Sequence, residues 1–150
     1  MSMFPPPKLV IVESPFRATP YYTEEQHRLY LEHCLAHCLS LGEAPFASHH
    51  LYPWVMDDTD NLERAWGIKC GLAWGQHADL VAVFSDLGVS PGMAEAIEHY
   101  SRLGKRIEWR KLPHKVVASI KNFGEFNTGG TPNETIDMCG DSPGVSFIGD

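Results

Sequence analysis

Runs of apolar residues along the chain follow two spacings, every second position and every third or fourth, and these mark out the elements. Lys8-Leu9-Val10-Ile11-Val12-Glu13 is a short β-branched run behind three prolines and predicts a first strand. Thr23-Glu24-Glu25-Gln26 has capping-box spacing, and Leu31, Cys34, Leu35, Cys38 and Leu39 then recur at helical spacing until Gly42 supplies a stop. A weaker strand is expected over Ala44 to Ala47, interrupted by Pro45, followed by a loop from His49 to Trp54. Asp60 caps a helix running to about Gly75, with Leu62, Trp66, Cys70 and Ala73 along one face. Asp79 to Phe84 is almost continuously apolar, the pattern of a strand covered on both faces. Ser90 is placed to cap a helix with Pro91 at its first position. Met93, Ala96, Ile97, Tyr100 and Leu103 form its inward stripe, and Gly104 ends it. Lys105 to Arg110 reads as a more polar edge strand, and Val116 to Ile120 as one or two helical turns. The alternation predicts an α/β fold: a three-layer, flavodoxin-like or Rossmann-like parallel sheet of four to five strands with helices on both faces.

Composition sharpens the domain picture. Residues 1–126 read as a single domain, and 127–150, rich in Gly, Thr, Asn, Asp and Pro, as a flexible tail or a segment that folds on a partner. A net charge of −7 argues against a duplex nucleic acid partner, which requires clustered Lys and Arg. No apolar run is long enough to span a membrane, and the N-terminus lacks the basic-then-apolar order of a signal peptide. A cytoplasmic protein is expected, with its four cysteines as free thiols.

Candidate chemistry follows from topology, because segments leaving parallel strands converge at one edge of the sheet. Here that edge receives Glu13-Ser14-Pro15-Phe16-Arg17, His49-His50-Leu51-Tyr52, Asp86 and Ser90-Pro91-Gly92-Met93. Hydroxyls, a guanidinium and helix-start amides suit a sugar or phosphate, while Phe16, Tyr52 and Trp54 offer faces for a base. Each residue also has a plainer structural reading as a cap, turn or loop-packing group. His33 and His37 are four apart on one helix, but two such residues do not make a metal site. No metal or cofactor is expected, and no phosphate-binding Walker loop or dinucleotide glycine motif is present.

The succession Glu13-Ser14-Pro15-Phe16-Arg17, Pro45-Phe46-Ala47-Ser48-His49, Leu51-Tyr52-Pro53 and Asp57-Asp58 resembles small bacterial and phage proteins. Glu63-Arg64, Gly67, Gly71-Leu72, Asp79, Val83-Phe84, Asp86, Ser90, Gly92-Met93 and Gly104 continue the match across about residues 8–112. These proteins are similar to the nucleoside 2-deoxyribosyltransferase superfamily. The resemblance implies a flavodoxin-like fold, a nucleoside or nucleotide substrate, metal-free cleavage or exchange of an N-glycosidic bond, and a homo-oligomer. In that superfamily a glutamate early in the last crossover helix attacks the sugar. A carboxylate suits that work because its glycosyl ester divides one displacement into two.

The matching position here, four residues after Gly92, is Ala96. In an enzyme the carboxylate would then come from Glu95 first, with Glu13 and Glu98 behind it. Helical geometry puts Glu95 one step around from the inward stripe and Glu98 roughly opposite it. Ser14 and Arg17 would hold a sugar-phosphate end, with His49, Tyr52 and Asp57 or Asp58 on the remainder and Asp86 on a ribose hydroxyl. The competing reading is a nucleotide-binding or sensing module that has lost the nucleophile. Trp66, Trp74 and Trp109 add apolar bulk that self-association would cover.

Overall fold

The computed structural model describes residues 3–124; the expected flexible tail at 127–150 lies outside the described residues. Four strands, β1 (Leu9–Glu13), β2 (Ala44–Phe46), β3 (Leu80–Phe84) and β4 (Arg106–Arg110), form one sheet in the order β2-β1-β3-β4. Every pairing is parallel, with Ile11 opposite Val81 and Glu13 opposite Val83. The intervening helices are α1 (Glu24–Ser40), α2 (Ser48–Leu51), α3 (Asn61–Gly75) and α4 (Pro91–Arg102), with α5 (His114–Lys121) after β4. The expected three-layer α/β architecture is therefore present, with four strands among the described residues.

Strand alternation divides the apolar residues between two cores. Val10, Val12, Leu80, Ala82 and Phe84 face α1 and α5, whose Tyr30, Leu31, Cys34, Cys38, Val117 and Ile120 close the first layer. Ile11, Val81 and Val83 face the other way, against Met93 and Tyr100 of α4, with Leu72 of α3 packed alongside. Strand β3 is buried along its whole length, as its unbroken apolar run requires. Glu13 lies two residues beyond Ile11 and so belongs to the α3/α4 face.

The helix starts are as the capping signals predict. Thr23 and Gln26 form a reciprocal capping box, the Asp60 carboxylate accepts from the Leu62 and Glu63 amides, and Ser90 caps α4 with Pro91 in its first turn. At Ser90 the reciprocal partner is Met93, whose sulfur accepts the Ser90 amide at 3.4 Å.

Several inward faces differ from the periodic reading. Leu39, Leu62, Trp66 and Leu103 are exposed rather than buried, Leu62 and Trp66 by 83% and 59%. On α3 the buried residues are Gly67, Gly71 and Gly75, so its packed face is its smooth one. Close approach excludes side chains there: a Cβ on Gly75 would lie 2.3 Å from the Tyr100 hydroxyl, and one on Gly71 2.5 Å from Ser48 Oγ. The 49–54 segment is not an irregular loop but α2 followed by a 3-10 turn at Tyr52–Trp54. The second strand stops at Phe46, one residue short of the expected end.

The glycine contacts generate a stability prediction. Gly75→Ala should lower stability by roughly 1–3 kcal/mol through overpacking against the fully buried Tyr100 ring. Helix propensity alone would raise stability by about 1 kcal/mol. Gly67→Ala, whose Cβ would approach only the flexible Met56 sulfur at 3.4 Å, should be neutral or stabilising. Urea unfolding of both variants reads the difference, and an equal gain in both would contradict the packing.

Candidate functional site

The chain runs from β1 out to β2 on one side and then crosses to β3 on the other, so the order reverses between β1 and β3. Carboxyl ends of strands at such a reversal leave a crevice. A cavity of about 490 Å³ lies there, walled by the segment after β1, α2, α3 and the first turns of α4. That volume falls within the range of small-molecule sites.

From the β1 end, Glu13, Ser14, Phe16 and Arg17 line the cavity. The loop carrying the last two is fastened from behind by His27, whose Nδ1–H donates to the carbonyls of Phe16 (3.3 Å) and Arg17 (2.9 Å). His27 is fully buried and its Nε2 has no partner, so burial lowers its pKa and the ring stays neutral.

From the 48–58 segment come His49, Tyr52 and Asp58. His49 Nε2 shares a 2.8 Å hydrogen bond with the buried Ser14 hydroxyl, the donor being set by the imidazole tautomer. The Phe16 ring stands edge-on to the same imidazole, with centroids 6.2 Å apart. Ser90, Gly92, Met93 and Glu95 line the cavity from α4, as do Ala96 and Tyr100. The Glu95 side chain is on the exposed rim, and Ala96 is half-buried.

Three anticipated residues are not brought into the hollow. Asp86 accepts from the Tyr30 hydroxyl at 2.7 Å and the Leu112 amide at 3.0 Å, tying α1 to the chain before α5. Its carboxylate is committed to structure. Glu98 is exposed and paired with Arg102 one helical turn on. Asp57 turns outward to accept from the Thr59 hydroxyl and amide, bonds that hold its carboxyl below the usual value. Trp54 is also outside, 67% exposed beneath the Arg28 guanidinium.

The sequence reading left out one whole wall. Helix α3 contributes Glu63, Arg64, Gly67, Ile68, Gly71 and Leu72. The Gly67-x3-Gly71-x3-Gly75 repeat carried the signal, since glycine every four residues makes one smooth helical face. Arg64 lies one turn before Gly67 on that face. Arg64 Nη1 donates to both carboxylate oxygens of Asp58, at 3.1 and 2.9 Å. Arg17 reaches the same residue from the opposite segment, through Nε to Oδ2 (3.1 Å) and Nη2 to the backbone carbonyl (2.7 Å).

Two titrating groups on the cavity wall are shifted in opposite senses. Burial raises Glu13 from its ordinary 4.5 to about 8, and it lowers His49 from 6.5 to about 4, with His50 adding repulsion. At neutral pH the wall thus holds a largely protonated carboxyl and a neutral imidazole. Among the described residues no three His, Cys, Asp or Glu side chains gather into a metal-binding group, and no helix is long and apolar enough to cross a membrane.

A parallel α/β domain with a crevice at its strand reversal defines the structural class. Over residues 8–110 the chain belongs to the family described as a domain of unknown function, DUF7768. No curated protein and no solved structure matches it.

The two shifts set a pH dependence of stability. For Glu13, the folded chain holds a proton that the unfolded chain has lost between about 4.5 and 8, so stability falls as pH rises through that window. For His49 the unfolded chain takes up the proton first, so stability falls as pH drops from 6.5 to about 4. Glu13→Gln should match the parent near pH 4. At pH 8 it should be more stable by about 2–4 kcal/mol, allowing for water that reaches the cavity. Denaturant unfolding across pH checks this, and parallel profiles for the two proteins would refute a buried carboxyl.

Proposed function

We propose that the chain binds a nucleoside or nucleotide in the crevice and transfers or hydrolyses its N-glycosidic bond, with Glu13 as the working carboxyl group. The observation that carries this reading is a carboxyl group desolvated on the wall of a nucleotide-sized hollow at the strand reversal. The resemblance to nucleoside 2-deoxyribosyltransferases supplies the reaction class. Ala96, where that superfamily has its glutamate, puts a methyl group on the wall of the cavity that Glu13 also lines. The small side chain leaves the crevice open to a sugar approaching the carboxyl.

Glu13, protonated at neutral pH, suits the role of acid to the departing base. Its proton passes to a base nitrogen as the bond from that base to C1′ breaks, and the electrons of the bond leave with the base. The C1′ cation so formed is captured by water or by a nitrogen of a second base, whose proton returns to the Glu13 carboxylate, or first by the Glu95 carboxylate at the rim. The Ser14–His49 pair and Tyr52 offer hydrogen bonds to sugar hydroxyls or a base edge, and Phe16 an aromatic face. The thiols of Cys34, Cys38 and Cys70 are free, which accords with work in the cytoplasm. The exposed indoles of Trp66, Trp74 and Trp109 favour self-association.

The second reading, a module that binds the same ligand without reaction, is favoured by the alanine at position 96. Incubation with a panel of deoxynucleosides and their monophosphates, followed by chromatography for free or exchanged base, separates the two. Catalysis through Glu13 predicts that Glu13→Gln lowers turnover about 100-fold or more while Glu98→Gln leaves it unchanged. Turnover unaffected by Glu13→Gln eliminates the assignment, and binding without product establishes the second reading.

A further inference from the structure

We propose that Arg17 and Arg64, held by Asp58, form a phosphate clamp on the crevice wall, so that the ligand is a nucleotide rather than a nucleoside. The inference rests on the reading that the crevice takes one or the other, and it narrows that choice.

The clamp is assembled from two segments 47 positions apart, which converge on one carboxylate. Arg17 comes from the loop after β1 and Arg64 from the first turn of α3, while Asp58 belongs to the turn before α3. Their bonds use Nε and Nη2 of Arg17 and Nη1 of Arg64. Nη1 of Arg17, and Nε and Nη2 of Arg64, donate to no other described residue. Asp58 therefore fixes two planar guanidinium groups and leaves donors on each of them unspent. All three residues line the cavity.

Donor geometry rather than net charge favours an anion at this spot, since Asp57, Asp58, Asp60 and Glu63 bring four carboxylates to the segment that carries Arg64. Two guanidinium groups against one carboxylate leave one positive charge within the cluster. Glu63, also on the wall, is turned to the Asp57 amide, to which its carboxylate bonds at 2.7 Å. A nucleoside brings hydroxyls and the uncharged acceptors of its base, which match paired guanidinium groups less strongly than an anion does. A phosphate monoester brings three oxygens and about two negative charges, and guanidinium forks match it bidentately. Arg17 is 54% exposed on its side chain and Arg64 29%, so a phosphate would be bound partly in water and screened by salt.

Isothermal titration calorimetry of the intact chain tests the clamp with three probes: deoxynucleosides, their 5′-monophosphates, and ribose 5-phosphate. The clamp predicts monophosphates bound at least about tenfold more tightly than the matching nucleosides, given the strength of hydrogen bonds to charged groups. Arg17→Gln and Arg64→Gln should each bring the ratio of monophosphate to nucleoside affinity down toward one. Thermal melting of the variants verifies that both still fold, and Arg64→Lys should restore only part of the advantage. Equal affinity for nucleoside and monophosphate overturns the clamp and leaves the nucleoside reading standing. Ribose 5-phosphate bound as tightly as the nucleotides supports the clamp but removes the base from the ligand. Binding of none of the three overturns both.

Discussion

Helix α3 turns Gly67, Gly71 and Gly75 toward the rest of the molecule, and the site depends on that absence of side chains. With only hydrogen at these three positions, α3 comes close enough for Gly75 to meet the Tyr100 hydroxyl and Gly71 the Ser48 side chain. The helix thereby becomes a wall of the crevice rather than a filler of it. Tyr100, held against Gly75, is itself part of the lining, and its hydroxyl is pushed above its usual pKa by burial and by Glu13. Glu13, half-buried at the end of β1, lines the same cavity, and burial raises its pKa.

Positions on the crevice wall are secured by bonds to neighbouring groups. His27 grips the carbonyls of Phe16 and Arg17 from α1, and Asp58 grips the guanidinium groups of Arg17 and Arg64. The Ser90 cap fixes the start of α4, which carries Gly92, Met93, Glu95 and Ala96 to the opposite wall. These supports sit on α1, on the turn before α3 and on α4, so the reactive groups are held by regular elements more than by their own loops. Such support is what a binding or catalytic constellation requires.

Much of the fold was legible in the chain because its strands and caps obey local rules. The β-branched run at 9–13, the all-apolar run at 80–84, and the caps at Thr23, Asp60 and Ser90 each act within a few residues of where they stand. The crevice rim was legible through topology, which brings Ser14, Phe16, Arg17, His49, Tyr52 and Gly92 to one edge whatever their side chains do. The α3 wall was hidden because a hydrophobic pattern looks for large residues. It pointed to Leu62 and Trp66, which face water, and passed over the glycines that face inward. Asp86 was misread because its partners, Tyr30 and Leu112, are 56 and 26 positions away. The sequence put Glu95 ahead of Glu13, because the burial that separates a half-buried carboxyl at the end of β1 from an exposed one at the rim is not legible in residue spacing.

The central claim is that one crevice brings a sugar-bearing ligand against a buried carboxyl at the end of β1. A crystal structure of the chain grown with a deoxynucleoside 5′-monophosphate tests it most directly. The account predicts the sugar between α3 and α4 with C1′ or the glycosidic nitrogen beside Glu13, and the phosphate on the guanidinium groups of Arg17 and Arg64. A nucleotide seated elsewhere on the molecule, or in the crevice with its sugar turned away from Glu13, would contradict it.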